Sequence, residues 1–329
     1  MQFAHRSLFC SVISLACIHV AAAQSNQVDD NNHVSAMRYV ALDVQADDNN
    51  SQQYSGTGSF TLGNYTWLHG TLGKIVNNDA TSNLGDLKFF GAGAGVRGEH
   101  WQVQAGFSRY RNDDNFRQRD INGSVDWLDE RFSIGIDVAN RRTDNSFDTT
   151  VTRTLTSGTV TVPIHAVEKL TGHGFGAHAS INLTDALILS LGGIDYSYDN
   201  SSSVEGSYTY TSTASPTILQ QLLDPIRSVI RDRIEQRIEY LAGSQMTRSI
   251  ALLDNSYNAG LTYQFDSAAV GGQYIRDKAL ETGEITDTFI LDSSLFLGDH
   301  WILSPMVGHS RNDQTGTVTF GGLTVSYNW

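Results

Sequence analysis

Cysteine is almost missing: the 329 residues hold two, Cys10 and Cys17, both among the first 23. Those first residues predict a removable export signal. Arg6 is the positive n-region, residues 8–20 are a mostly apolar core too short for an ordinary spanning helix, and Ala21-Ala22-Ala23 is a small-residue cleavage site. Cys17 suits lipid attachment poorly, because Leu15 stands one position too close to it. Cleavage before Gln24 leaves a mature chain without cysteine, which excludes disulfides and thiolate chemistry. Beyond the signal no segment is apolar for 18 residues, which excludes a helical membrane protein. Basic residues are outnumbered, 22 Lys and Arg against 35 Asp and Glu, for a net charge of −13. Loss of Arg6, the one formally charged residue of the signal, makes the mature chain −14. That balance speaks against nucleic acid as a partner. Proline is scarce too, four residues in all.

Glycine (30 residues) and aromatics (10%) are abundant, and they follow one recurring theme. A tight polar turn precedes an aromatic or aliphatic residue that opens an alternating stretch. The turns are Gly63-Asn64, Gly98-Glu99, Asp129-Glu130, Thr184-Asp185, Asp266-Ser267 and Gly298-Asp299, all of hairpin composition. Six short turns give twelve strands, and one more at each end gives about fourteen. Alternation is clear in Trp101, Val103, Ala105 and Phe107 against Gln102, Gln104, Gly106 and Ser108. It recurs in Phe132, Ile134, Ile136 and Val138, in Phe175, Ala177, Ala179 and Ile181, and in Tyr257, Ala259, Leu261 and Tyr263. Each strand thus has one apolar and one polar face.

Soluble sandwiches alternate as well, so two further features decide. Aromatics gather at the short-turn ends: Tyr65, Trp67, Trp101, Trp127, Phe132, Phe265, Trp301, Tyr327 and Trp329. The other connections read as long and polar, over 47–53, 76–86, 111–117, 142–171, 200–249, 277–285 and 310–316. Short turns at one end, long loops at the other and an interfacial aromatic girdle predict an all-β, antiparallel, up-and-down transmembrane β-barrel of about fourteen strands. A mean hydropathy of −0.25 is compatible with that fold, because lumen and loops are polar.

Two long connections carry patterns of their own. Residues 149–156 and 159–162 flank Ser157-Gly158 as a Thr-rich hairpin that extends neighbouring strands, and counting it separately would give sixteen. Over 217–241, Ile218, Leu222, Ile226, Val229, Ile230, Ile234, Ile238 and Leu241 recur at helical spacing after Pro216, with Pro225 as a candidate kink. This predicts an amphipathic helix in an extracellular loop. Its apolar stripe would pack on the barrel's own loops, plug the lumen, or face lipid or a partner.

The polar phase supplies lumen candidates: Gln102, Gln104, Asp120, Asp126, Asp137, Arg141, His178 and Asp292, among others. Lumen-phase glycines (Gly91, Gly93, Gly95, Gly174, Gly176, Gly260, Gly271) are expected to widen the bore. The alternative is a lumen filled by a closed network of charge pairs. Arg109, Arg111, Arg117 and Arg119 crowd the outer end of one hairpin, as a mouth cluster that selects anions, a grip for lipopolysaccharide phosphates, or a solvated charge run. His309-Ser310, Asp299-His300 and the pair His173 and His178 are fragments of catalytic chemistry set in no motif. Asp47-Asp48-Asn49-Asn50 has no recognised calcium-loop spacing. No cofactor or metal is expected.

The last stretch, 317–329, sets Leu323, Val325, Tyr327 and Trp329 on one face and Thr324, Ser326 and Asn328 on the other. It resembles the assembly signal of Gram-negative outer-membrane proteins that the barrel-assembly machinery reads. With the export signal and the hairpin rhythm, nearly the whole chain is similar, as a pattern, to the porin-like outer-membrane β-barrels, without singling out one family. The resemblance implies a monodomain barrel over 36–329 behind a short periplasmic tail, 24–35, too short for the hatch of the fatty-acid channels. No autotransporter passenger is expected ahead of the barrel. It implies outer-membrane lipids, lipopolysaccharide, the assembly machinery and small hydrophilic solutes as partners. The function expected is a channel for such solutes, access being controlled by the long loops. A structural or partner-binding barrel is the alternative, and a lipid-modifying barrel enzyme the third.

Overall fold

The computed structural model describes residues 38–63, 65–77, 86–112, 116–155, 158–200, 252–280, 283–313 and 316–329, together with a separate two-residue ladder between Ser7–Leu8 and Ser25–Asn26. The side chains at 145, 147–168 and 200 are outside the description. So are most of the expected signal and all of the expected helix at 217–241.

Fourteen antiparallel strands close on themselves. They are β1 (Tyr39–Asp47), β2 (Ser51–Leu62), β3 (Thr66–Asn77), β4 (Leu87–Arg97), β5 (Trp101–Arg111), β6 (Phe116–Leu128) and β7 (Phe132–Leu155). The second half is β8 (Gly158–Asn182), β9 (Leu187–Asn200), β10 (Leu253–Gln264), β11 (Ala268–Ala279), β12 (Ile285–Leu297), β13 (Trp301–Asn312) and β14 (Gly316–Asn328). Each pairs with its neighbour in sequence, and β14 pairs with β1 from Phe320↔Asp47 to Asn328↔Tyr39. Closure leaves no unpaired edge, the condition for strands to stand in a medium without water. Strands of mostly 11–13 residues are long enough to cross when tilted. Pro305 lies in β13, and there the β12–β13 ladder skips from Asp292↔Met306 to Leu295↔Leu303, since proline has no N–H to give.

Two expectations about connections are corrected. Residues 142–171 are strand, not loop: β7 and β8 pair without a break from Phe132↔Ile181 to Leu155↔Gly158. β6 leaves β7 at Asn145 and β9 leaves β8 at Leu170, so the ladder beyond is a two-stranded ribbon continuing past the rim. The threonine-rich pattern is therefore an extension of two existing strands, and sixteen strands are excluded. The segregation of loop length is also weaker than the composition suggests. The strand ends at Ser51, Phe116 and Gly316 pair normally, which leaves only residues 48–50, 112–115 and 313–315 as connections. Polar residues at a rim can sit in a strand without cost, because their side chains meet water.

The faces separate as the alternation requires. Outward positions carry the exposed large apolar side chains, among them Leu42 (69%), Leu72 (70%), Phe175 (63%) and Phe289 (60%). Such a continuous apolar exterior is untenable on a monomer in water. At the short-turn ends Tyr65, Trp101, Trp127, Phe132, Phe265, Trp301 and Trp329 are exposed, and Trp301, Tyr327 and Trp329 pack in series, with ring centroids 4.9 and 6.3 Å apart. Trp67 is the exception to the expected girdle: its phase in β3 is inward and it is buried.

Candidate functional site

The candidate site is the inner wall. Strand register assigns it: Gln102↔Asp126↔Gly135↔His178 is one cross-strand row, Gln104↔Ser124↔Asp137↔Gly176 the next, and Asp120↔Arg141 and Gly271↔Asp292 lie on the same inward phase. All eight lumen candidates read from the sequence thus face the interior. They fall into two groups. Seven come together on β5–β8, and Asp292 stands apart on β12.

On β5–β8 most of these candidates are hydrogen-bonded to one another. His178 is held by two carboxylates, Nε2 at 2.5 Å from Asp126 and Nδ1 at 2.8 Å from Asp137. Ser124 Oγ accepts from the Gln104 amide at 3.0 Å and donates to Asp126 at 3.2 Å. One ring further toward the loops, Arg141 Nε donates to Asp120 at 3.1 Å, and the Gln118 amide donates to the other oxygen of Asp120 at 3.0 Å. The Thr143 hydroxyl donates to Gln118 at 3.4 Å, and the guanidinium lies 5.4 Å from the Tyr196 ring centroid. These partners are what let charged groups be buried in a wall. Gln118, Thr143 and Tyr196 escaped the sequence reading, although their parity with Asp120 and Arg141 places them inward.

Several glycines of the inward phase do not widen the bore, contrary to expectation. They seat a large side chain from the adjacent strand. A Cβ at Gly135 would lie 2.6 Å from the His178 ring, one at Gly174 2.8 Å from the Tyr196 ring, and one at Gly271 2.8 Å from the Asp292 carboxylate. Beside the ladder, a residue without a side chain leaves the only shelf on which a bulky neighbour can lie flat.

Toward the loops the inward side chains turn apolar. Ile75, Leu87, Phe89, Tyr110 and Phe116 form one buried cluster, and Ile275, Ile290 and Phe320 another with Met306 against them. Near the middle of the strands accessible inward positions return: Asp43, Thr57, His69, Gln104, Asn122, Asp137, Gln273 and Asp292. Asp292 is exposed, and no described side chain makes a hydrogen bond or ion pair to its carboxylate. Inward strand positions carry Asp43, Asp120, Asp126, Asp137, Asp277 and Asp292 against Arg97 and Arg141, with two histidines between. The described wall is therefore acidic.

The arginine cluster is not at a pore mouth. Arg109 shares its phase with Trp101 and Val103, and Arg119 with Ile121 and Val125, all on the outside. The catalytic fragments are not assembled either. His309 faces outward toward Thr319 while Ser310 faces inward toward Thr288, and His173 and His178 lie on opposite faces. Asp47 caps its own turn, accepting from the backbone of Asn49 and Ser51 at 3.0 and 2.8 Å. Leu323, Val325, Tyr327 and Trp329 lie on one outward stripe.

No protein-family model matches the sequence, and no curated protein does. Among solved structures, the KdgM porin in complex with disordered oligogalacturonate is 10% identical, with a TM-score of 0.40 over 88% of this chain and 99% of that one. OmpT, an outer membrane protein of Vibrio cholerae, is 10% identical with a TM-score of 0.42, over 88% and 96%. The translocator domain of the autotransporter NalP from Neisseria meningitidis is 13% identical with a TM-score of 0.41, over 93% and 92%. At these scores the likenesses carry nothing about solute or mechanism. The chain's own closed, even-numbered, antiparallel ladder, apolar outside and polar within, is the architecture of an outer-membrane β-barrel.

Proposed function

We propose that this protein is an outer-membrane channel for small hydrophilic solutes whose acidic wall favours cations and neutral polar molecules over anions. The observation that carries the reading is the pairing of an accessible polar mid-section, with the exposed carboxylate of Asp292, and a wall on which carboxylates outnumber arginines. Fixed carboxylates in a narrow aqueous bore raise the local cation concentration and repel anions. Fourteen strands stand between the barrels of about eight, which side chains fill, and those of about sixteen, which leave an aqueous channel. The Arg141–Asp120 and His178–Asp126–Asp137 groups brace one side of that bore.

Planar-bilayer recording of the refolded full chain tests this. The expected result is discrete conductance steps, with a reversal potential of the cation-selective sign in a potassium chloride gradient. An anion-selective sign would overturn the selectivity, and bilayers that stay silent with correctly inserted barrel would overturn the channel in favour of a filled, structural barrel.

A further inference from the structure

The outward face of β4–β7 near the loop end carries a field of positive charge, and no described acidic side chain pairs with its four arginines on β5 and β6. Two rows cross it. In one, Lys88 stands opposite Arg111 and Arg111 opposite Arg117; in the next, Arg109 stands opposite Arg119 and Arg119 opposite Arg142. Like charges directly opposed on adjacent strands destabilise a sheet, yet here they follow one another across three strands in each row, the first row ending where Asp144 stands opposite Arg117. Arg142 has Asp144 at 3.5 Å. Among the described residues, Arg109, Arg111, Arg117 and Arg119 make no ion pair or side-chain hydrogen bond, and Nε of Arg109 is buried without a partner. The opposite side of the barrel shows what a balanced rim looks like. Lys278 there has Asp254 at 2.7 Å, and Arg276 has Asp287 at 3.6 Å.

Beside and beneath the basic rows the outward face turns apolar, on these strands and on β8. Phe90 and Phe107 pack with centroids 5.7 Å apart, and Ile121, Val138 and Phe175 are exposed outward. A ligand that fits both halves has acyl chains for the lower part and at least two phosphates for the upper.

We propose that this face binds a phosphorylated glycolipid of the outer leaflet, the arginines of β5 and β6 gripping its phosphates while its acyl chains lie on the apolar stripe below. This rests on the membrane orientation of the proposed function, with the loop end outward. Arginine's planar fork suits phosphate, and a buried, unpartnered Nε at the membrane boundary is a donor waiting for an anion. The lipid would repay the repulsion that the cross-strand arginine pairs store, so binding should also stabilise the barrel.

The test uses the full chain in zwitterionic detergent and native mass spectrometry with three probes: a bis-phosphorylated lipid A-type glycolipid, the same glycolipid stripped of both phosphates, and inorganic phosphate. The wild type is expected to prefer the phosphorylated form by roughly tenfold or more, as one or two charge-assisted contacts require, and to lose that preference as salt rises. The variant R109Q/R111Q/R117Q/R119Q should lose the preference, whereas R276Q/K278Q should keep it. Equal binding of the dephosphorylated lipid, equal loss in R276Q/K278Q, or inorganic phosphate competing as well as the lipid would each overturn the proposal. If the fourfold variant does not fold, the wild-type preference and its salt dependence still decide. Insertion into lipid vesicles, measured on the same sample, separates the two readings: a barrel that inserts but ignores phosphate sinks only this one.

Discussion

At the residue scale the inner wall is held by a few pairs whose loss has distinct signatures. Arg141 and Asp120 are each almost fully buried and face each other at 3.1 Å. Arg141→Gln strands a carboxylate with only the Gln118 amide, and a broken buried pair costs on the order of 3–5 kcal/mol. The urea midpoint of the barrel in lipid vesicles should fall accordingly. The double variant R141Q/D120N should recover much of the loss, because the uncompensated charge goes with the second substitution. Gly135 tests the other group. Gly135→Val puts a branched side chain where the His178 ring lies, so His178 must leave Asp126 and Asp137. The expected cost is about 1–3 kcal/mol for overpacking, and Gly135→Val with His178→Ala should be less harmful than Gly135→Val alone.

At the element scale, parity made most of the molecule legible. A strand's side chains alternate, so Trp101, Val103 and Phe107 fixed the outward phase of β5 and hence the inward place of Gln102 and Gln104. The same parity, carried two residues further, puts Arg109 and Arg111 outside. Their crowding at a hairpin end drew the reading toward a mouth, although neighbours on the strand already gave the answer. Strand ends were less legible, because a polar residue in a rim strand and one in a loop obey the same constraint of contact with water. Residues 142–171 were misjudged for that reason. Among the described residues, the ribbon beyond Asn145 and Leu170 pairs only with itself, so replacing residues 146–167 by a short turn should shift the unfolding midpoint by less than about 1 kcal/mol and leave the heat-modifiable mobility of the folded barrel intact. Loss of that mobility would show that the ribbon supports the rim. The last strand behaves oppositely. Leu323 lies mid-strand on the outward stripe, opposite Pro305 on β13 and Val44 on β1. Leu323→Arg there should cost about 2–4 kcal/mol, the depth-dependent charge of an arginine in hydrocarbon, read as the folding free energy in vesicles.

At the scale of the whole molecule, charge is segregated by face. Carboxylates dominate the described inner wall, while the arginines of β5 and β6, which no described acid pairs, sit outside. An arrangement in which the arginines lined the bore would have attracted anions. As the strands actually turn, the described inner wall is acidic and these arginines are on the outer face. Asp43 and Asp292 are the cleanest probes of the inner half, since both lie at accessible mid-strand positions away from the buried Arg141 and His178 groups. Asp43 accepts from Thr324 at 2.8 Å and from Gln45 at 3.0 Å, bonds that an asparagine side chain retains in part. In D43N/D292N the fold should therefore persist while two fixed charges leave the bore. A charge a few ångströms from a passing ion in water-like surroundings is worth on the order of 1 kcal/mol, so the cation-to-anion permeability ratio should drop roughly fivefold, seen as a reversal potential closer to zero. R109Q/R119Q should leave that potential where it is, because those side chains belong to the lipid face. The reverse pattern, an unchanged potential in D43N/D292N and a shifted one in R109Q/R119Q, would mean that ions cross along a path other than the one these inward carboxylates line.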